Sequence, residues 1–315
     1  MTLLPPLVIT GNRIDPLGPL KATGVRLTSF AIPANRAKLQ ALLDKTFAAP
    51  SSGAIRYEPL GSHVLLGIAE ISAIMATDPA EVNNGWSAEI DLGLWIPARR
   101  LDDGLFAMRF IPTYLFVDDS PAMAGGREVW GFPKQIGEFD FSPQKKDPAA
   151  ARTFKARTYV MPTFTPTSEA VWAPLATARP TVAPNGGGFI GALEKLADRF
   201  FTHLADGAAD VAVQVVKALG AAPVTMAFLK QFPDAADPTK ACYQAIIEAD
   251  SRVLALRASG LTNDHYSVDI SSYASLPFAT ELGIPAGPQT VGHGIWVDFD
   301  FAMDLGREVW RAPTG

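Results

Sequence analysis

Between residues 295 and 302 the chain alternates without a break, with Ile295, Val297, Phe299 and Phe301 on one side and Trp296, Asp298, Asp300 and Ala302 on the other. A period of two is the geometry of an extended strand, so one face of this segment belongs on a core and the other faces water or a partner. Short apolar runs of strand length also occur at residues 64–68, 87–96 and 106–117, with turn residues between them. The same texture resumes from Val224 and continues through residues 241–247 and 266–270. The first hundred residues hold one clear helix, at 35–47, where Leu39, Leu42, Leu43 and Phe47 follow a Pro33-Ala34-Asn35 start at helical spacing. With 26 glycines and 26 prolines among 315 residues, a bundle of long helices is excluded.

Charged residues make up 19% of the chain and hydrophobic residues 48%, which implies a large interior and, with Trp296 on the second face of its strand, a homo-oligomer interface. The formal charge of −5 and the lack of any basic run argue against a nucleic-acid partner. The first residues have neither the basic start nor the apolar stretch of a signal peptide, so a cytoplasmic location is expected. Residues 208–229 are the most apolar long segment, but Asp210, Gln214, Lys217 and Pro223 interrupt it, so no membrane partner is expected. Cys242 is the single cysteine, and His63, His203, His265 and His293 form no pair at metal-ligand spacing. Neither a metal nor a cofactor is expected.

The chain reads as one domain over 1–315, with an insertion or cover at about 162–223. Pro162, Pro166, Pro174, Pro180 and Pro184 punctuate that stretch, which leads through Asn185 and three glycines into an amphipathic helix carrying Leu193, Leu196, Phe200, Phe201 and Leu204. Gly186, Gly188 and Gly191 satisfy a bare G-x-G-x-x-G, but Pro180 and Pro184 stand where a dinucleotide site needs a buried strand, so a linker is the better reading. The pentapeptide Gly-Arg-Glu-Val-Trp occurs at 126–130 and again at 306–310, as chance or as a recurring turn.

Chemistry concentrates at residues 118–135, DDSPAMAGGREVWGFPKQ. Lys134 stands among Trp130, Phe132, Pro133 and Ile136 with no acid beside it in sequence. An ammonium in apolar surroundings loses hydration and its pKa falls, leaving a neutral amine that attacks carbonyls to form Schiff bases. The alternative is a surface lysine lying along aromatic neighbours.

Gly126-Arg127-Glu128 followed by Gly131-Phe132-Pro133-Lys134 resembles the motif of the acetoacetate decarboxylase family, and the resemblance extends to residues 119–122, 228–232, 241–244 and 282–283. It implies a mainly β (α+β) fold, a closed or cone-shaped antiparallel barrel with peripheral helices, and an imine on Lys134. The family's second lysine, beside the imine former, is Gln135 here; a neutral amide cannot supply a neighbouring cation, so any lowered pKa must come from desolvation or from a cation elsewhere. The resemblance also implies Glu70 and Glu89 as cavity acids, each alone in an apolar strand and able to move protons at an imine. On the substrate side it implies Arg26, with Arg109 as the spare, together with Tyr114, Phe132 and Gln135. Arg127 and Glu128 are expected to hold the turn that presents Lys134.

The expected function is a Schiff-base lyase that decarboxylates a small β-keto acid such as acetoacetate. The alternatives are an aldolase-dehydratase working on pyruvate-like keto acids through the same lysine and a barrel that binds a small molecule without turnover.

Overall fold

The computed structural model describes residues 6–8, 17–103, 108–142, 146–181 and 223–313. In chain order the elements are β1 (Leu20–Pro33), α1 (Arg36–Leu43), β2 (Tyr57–Pro59), β3 (His63–Ala76), β4 (Ser87–Arg100), β5 (Met108–Val117), α2 (Ser120–Gly125), β6 (Lys134–Ser142) and β7 (Thr153–Val160). They continue with β8 (Val171–Thr181), β9 (Val224–Pro233), β10 (Ala241–Ile270), α3 (Phe278–Glu281), β11 (Gln289–Met303) and β12 (Arg307–Arg311).

The sheet closes on itself. Pairing runs β4-β3-β1-β11-β10-β8-β7-β6-β5, and β5 pairs back to β4. A second closure crosses this ring through β9, which bonds to both β10 and β5. Closing a sheet removes the unpaired edges that otherwise invite aggregation. Most pairs are antiparallel, as expected, but β5 runs parallel to both β6 and β9. The two closures share β10, a strand of 30 residues whose first third pairs with β9, whose middle pairs with β11 and whose end pairs with β8.

β1, β3 and β4 are covered on both faces. Phe30, Ile32, Leu66, Ile68, Leu92 and Leu94 face the main core, and the alternate set, including Val25, Leu27, Leu65, Ala69 and Gly93, faces a separate cavity. The main core is aromatic at its centre, where the Phe30 and Tyr266 rings lie 4.8 Å apart and Phe141 and Phe154 lie 5.2 Å apart. The helix anticipated at 35–47 is α1 followed by a wider π-type turn at Asp44–Ala48. The Asn35 side chain caps it by accepting from the Lys38 amide at 3.1 Å, and Leu39, Leu43 and Phe47 enter the core.

A buried charge knot ties together strands distant in sequence. Glu248 of β10 has a fully buried side chain that accepts from Arg109 Nε at 2.9 Å, Arg307 at 3.2 Å and the Tyr57 hydroxyl at 2.9 Å. Arg100 lies 3.3 Å from the same carboxylate. Arg109, the spare substrate arginine, is thus a structural ion.

Two expectations change. Residues 171–181, anticipated as part of a cover, form β8 and complete the ring between β7 and β10. Pro174 and Pro180 disguised a strand whose Leu175, Ala176 and Ala178 are buried. The two copies of Gly-Arg-Glu-Val-Trp share no conformation, the first being a π-type turn and the second lying mostly in β12, so they are not a recurring turn. The glycine loop at 186–191 and the amphipathic helix after it lie outside the described residues. The rings of His265 and His293, distant in sequence, come within 4.2 Å, but no group of three or more His, Cys, Asp or Glu suited to a metal occurs among the described residues. No helix among those residues is long and apolar enough to cross a membrane.

Candidate active site

The segment that follows β5 builds the site. Asp118 Oδ1 accepts from the Ile90 amide at 2.7 Å and so pins β4 at the residue between Glu89 and Asp91. Ser120 and Pro121 open α2, where proline's fixed φ suits a first turn, and the chain widens into a π-type turn over Gly126–Trp130. Gly131 ends that turn at φ 93°, and a Cβ there would fall 2.8 Å from the Lys230 backbone, so geometry and space both require glycine. The amides of Gly131 and Phe132 both donate to the Gly126 carbonyl at 3.1 Å. Arg127 braces the turn by donating to the Lys134 carbonyl at 2.9 Å.

Lys134 then opens β6 beside Leu115 of the parallel β5, with its side chain in the cavity. Its Nζ lies 3.4 Å from each oxygen of Glu89, 3.9 Å from Asp91 Oδ1 and 5.6 Å from the centre of the Phe132 ring. Lys134 and Glu89 retain only 7% and 5% of their exposure. The cavity has a volume of about 300 Å³ and walls that are mostly apolar away from this cluster, with Trp95, Met226, Phe299 and Phe301 among them. Among the described residues lining it, Lys134 is the sole cation.

The electrostatics differ from what the sequence suggested. Burial alone would lower the pKa of Lys134, but the charges of Asp91 and Glu89 and the hydrogen bond to Glu89 outweigh it and raise it above the ordinary lysine value. Burial and the neighbouring Glu89 carboxylate push Asp91 well above the ordinary carboxylate range, with Lys134 opposing only in part. The Oδ1 of Asp91 is buried and has no hydrogen-bond partner. The cluster therefore places two carboxyl groups within about 4 Å of one lysine nitrogen.

Of the residues implied at sequence level, the structure brings Lys134, Glu89 and Phe132 together. Glu70 is directly opposite Ile90, not Glu89, in the β3–β4 register and so falls on the other face, where it binds Arg152. Arg26, the register partner of Glu70 on β1, also lies on that face and pairs with Asp298 at 3.0 Å. Tyr114 turns into the main core, its ring 4.6 Å from Phe278 and its hydroxyl bonded to Glu281. Gln135 alternates away from Lys134 and donates to the Tyr159 carbonyl at 2.6 Å and to Thr158 Oγ1 at 3.2 Å. The substrate-side position anticipated for Gln135 is not open from there.

Asp91 was missed, although its signal was present. It stands two residues after Glu89 in a strand, which places both acids on one face.

The sequence profile of the family described as acetoacetate decarboxylase (ADC) matches residues 6–185. The chain belongs to the acetoacetate decarboxylase family. No curated protein matches it significantly. Among solved structures it resembles the acetoacetate decarboxylase of Legionella pneumophila, with TM-score 0.61 and 15% identity over 98% of this chain and 93% of that one. It also resembles the enduracididine biosynthesis enzyme MppR complexed with pyruvate, with TM-score 0.55 and 15% identity over 94% and 91% of the two chains. An acetoacetate decarboxylase-like enzyme of Sphingomonas wittichii RW1 aligns with TM-score 0.56 and 12% identity over 93% and 94%. At such identities the likeness establishes the fold.

Proposed function

We propose that the protein is a Schiff-base lyase that decarboxylates a β-keto acid on Lys134. The observation carrying this reading is a buried amine held between two carboxylates in an otherwise apolar cavity. Glu89, in contact with Nζ, takes a proton from the ammonium, and the freed amine attacks the substrate ketone. Loss of water gives an iminium ion, the electron sink. The bond to the substrate carboxylate then breaks, its electron pair moves into the iminium as an enamine, and carbon dioxide leaves. Asp91, whose hold on a proton is strengthened by burial, delivers one to the enamine carbon; water adds to the resulting iminium and releases the ketone and the amine, and Asp91 takes a replacement proton from solvent, the one the overall reaction consumes.

The surroundings favour this direction of chemistry. A substrate carboxylate finds no cation besides Lys134 among the described lining residues and meets two acids, so its ground state is raised relative to the transition state in which its charge disperses. A pyruvate-type condensation retains that carboxylate to the end and gains nothing from such a wall.

Borohydride reduction during turnover tests the reading. Acetoacetate should leave a product-sized mass on Lys134, carbon dioxide should evolve, and Lys134→Ala should abolish both. An adduct with pyruvate but none with any β-keto acid would transfer the assignment to the condensing enzyme, and no adduct with either would favour a binding barrel.

A further inference from the structure

We infer that the substrate carries an extended apolar substituent, so that acetoacetate itself is at best a minor one; this rests on the imine reading above for the reacting end. A cavity of about 300 Å³ is the size that accepts drug-sized ligands, and a four-carbon acid leaves most of it empty. The surplus lies across the ring from the lysine. Lys134 enters beside β5, while the opposite wall is supplied by β1, β11 and β10, elements on the far side of the closure through β9. On that wall Ala22, Val25, Phe299, Phe301, Val253 and Met303 face inward, and all are apolar. The cavity-facing residues of β1 run from Leu20 to Ser29, about 30 Å of strand at roughly 3.3 Å per residue.

An apolar space of this size is costly to leave filled with water, and its far wall offers a second polar group only the hydroxyls of Ser29 and Ser251, at its margins among apolar side chains. It fits an alkyl or aryl chain attached to the ketone carbon. The polar end then lies at Glu89, Asp91 and Lys134, and the tail reaches toward Phe299 and Phe301.

Calorimetric titration of the wild-type protein with acetone, 2-pentanone and 2-nonanone, which are product analogues of increasing length, tests the inference. Affinity should rise about fourfold per methylene until the wall is reached. Val253→Phe, on the far wall, should weaken 2-nonanone at least tenfold more than it weakens acetone. Affinity that does not grow with chain length overturns the inference, and borohydride adducts of the same ketones would show that the imine reading survives it. Affinity that climbs with length while no ketone is ever trapped on Lys134 supports the apolar tail site and overturns the imine. A misfolded Val253→Phe leaves the wild-type series to decide.

Discussion

Gly126 and Lys134 adjoin so closely that any side chain on Gly126 would displace the lysine: a Cβ there would lie 2.8 Å from Cδ and 3.1 Å from Cε of Lys134. The amine therefore reaches Glu89 by passing over bare backbone in the π-type turn. The obstructed atoms belong to a flexible chain, so the lysine would yield before the fold does. Gly126→Ala should slow borohydride trapping at least tenfold while the melting temperature moves by only a few degrees. Equal trapping rates in variant and wild type would show that the passage is not needed.

A second expectation concerns the charge that keeps the amine protonated. Asp91 and Glu89 together hold the Lys134 pKa above its ordinary value against burial. Glu89→Gln removes one of those charges and leaves burial less opposed, so the pKa should fall. The pH profile for modification by a carbonyl reagent should shift toward lower pH, and the decarboxylation rate should nevertheless drop because the proton acceptor is gone. A profile that stays in place would contradict the electrostatic account.

Asp91 makes stability depend on pH in a defined direction. Its folded pKa is raised, so between the unfolded value of roughly 3.9 and the folded one the native state binds the extra proton. Its contribution to stability is thus most favourable at low pH and is lost as pH rises through that window. Asp91→Asn should remove the loss, gaining stability over wild type at pH 8 relative to pH 4 in urea unfolding. The same variant should stall after loss of carbon dioxide, with enamine protonation slowed.

Sequence reasoning reached Lys134 because the surrounding motif is local: the turn, the proline and the lysine lie within nine residues of one another, Gly126 to Lys134. It reached Glu89 and lost Glu70 for one reason. Which face a strand residue takes depends on pairing with a strand elsewhere in the chain, and the register that sets Glu89 opposite Ile71 sets Glu70 opposite Ile90. Arg26 goes with its register partner Glu70 to the face away from Lys134, where both line a second pocket that Glu89 also borders. The lowered lysine pKa was inferred from neighbours in sequence, none acidic, whereas the acids that decide it come from β4. The strand-rich texture was legible from alternation and turn spacing, and the closure of the sheet only through the family resemblance; β8 was not legible, since prolines at two of its positions read as loop.

Gln135 offers a sharp check on this geometry. A lysine there would point toward Thr158 and Tyr159, away from the cavity, so Gln135→Lys should leave the Lys134 titration and the decarboxylation rate within twofold of wild type. It should cost about 1 kcal/mol of stability through the exchanged hydrogen bonds. A lowered Lys134 pKa in this variant would mean that residue 135 reaches the cavity after all.

β1, β3 and β4 have no indifferent side. Moving the chain of β4 by one residue would send Glu89 and Asp91 among Phe30, Leu66 and Ile68 and present Ile90 to the amine. Insertions and deletions within these strands are therefore closed to the lineage as a means of change. New specificities have to arrive by exchanging one side chain for another at fixed addresses, with changes of length confined to the connections between strands.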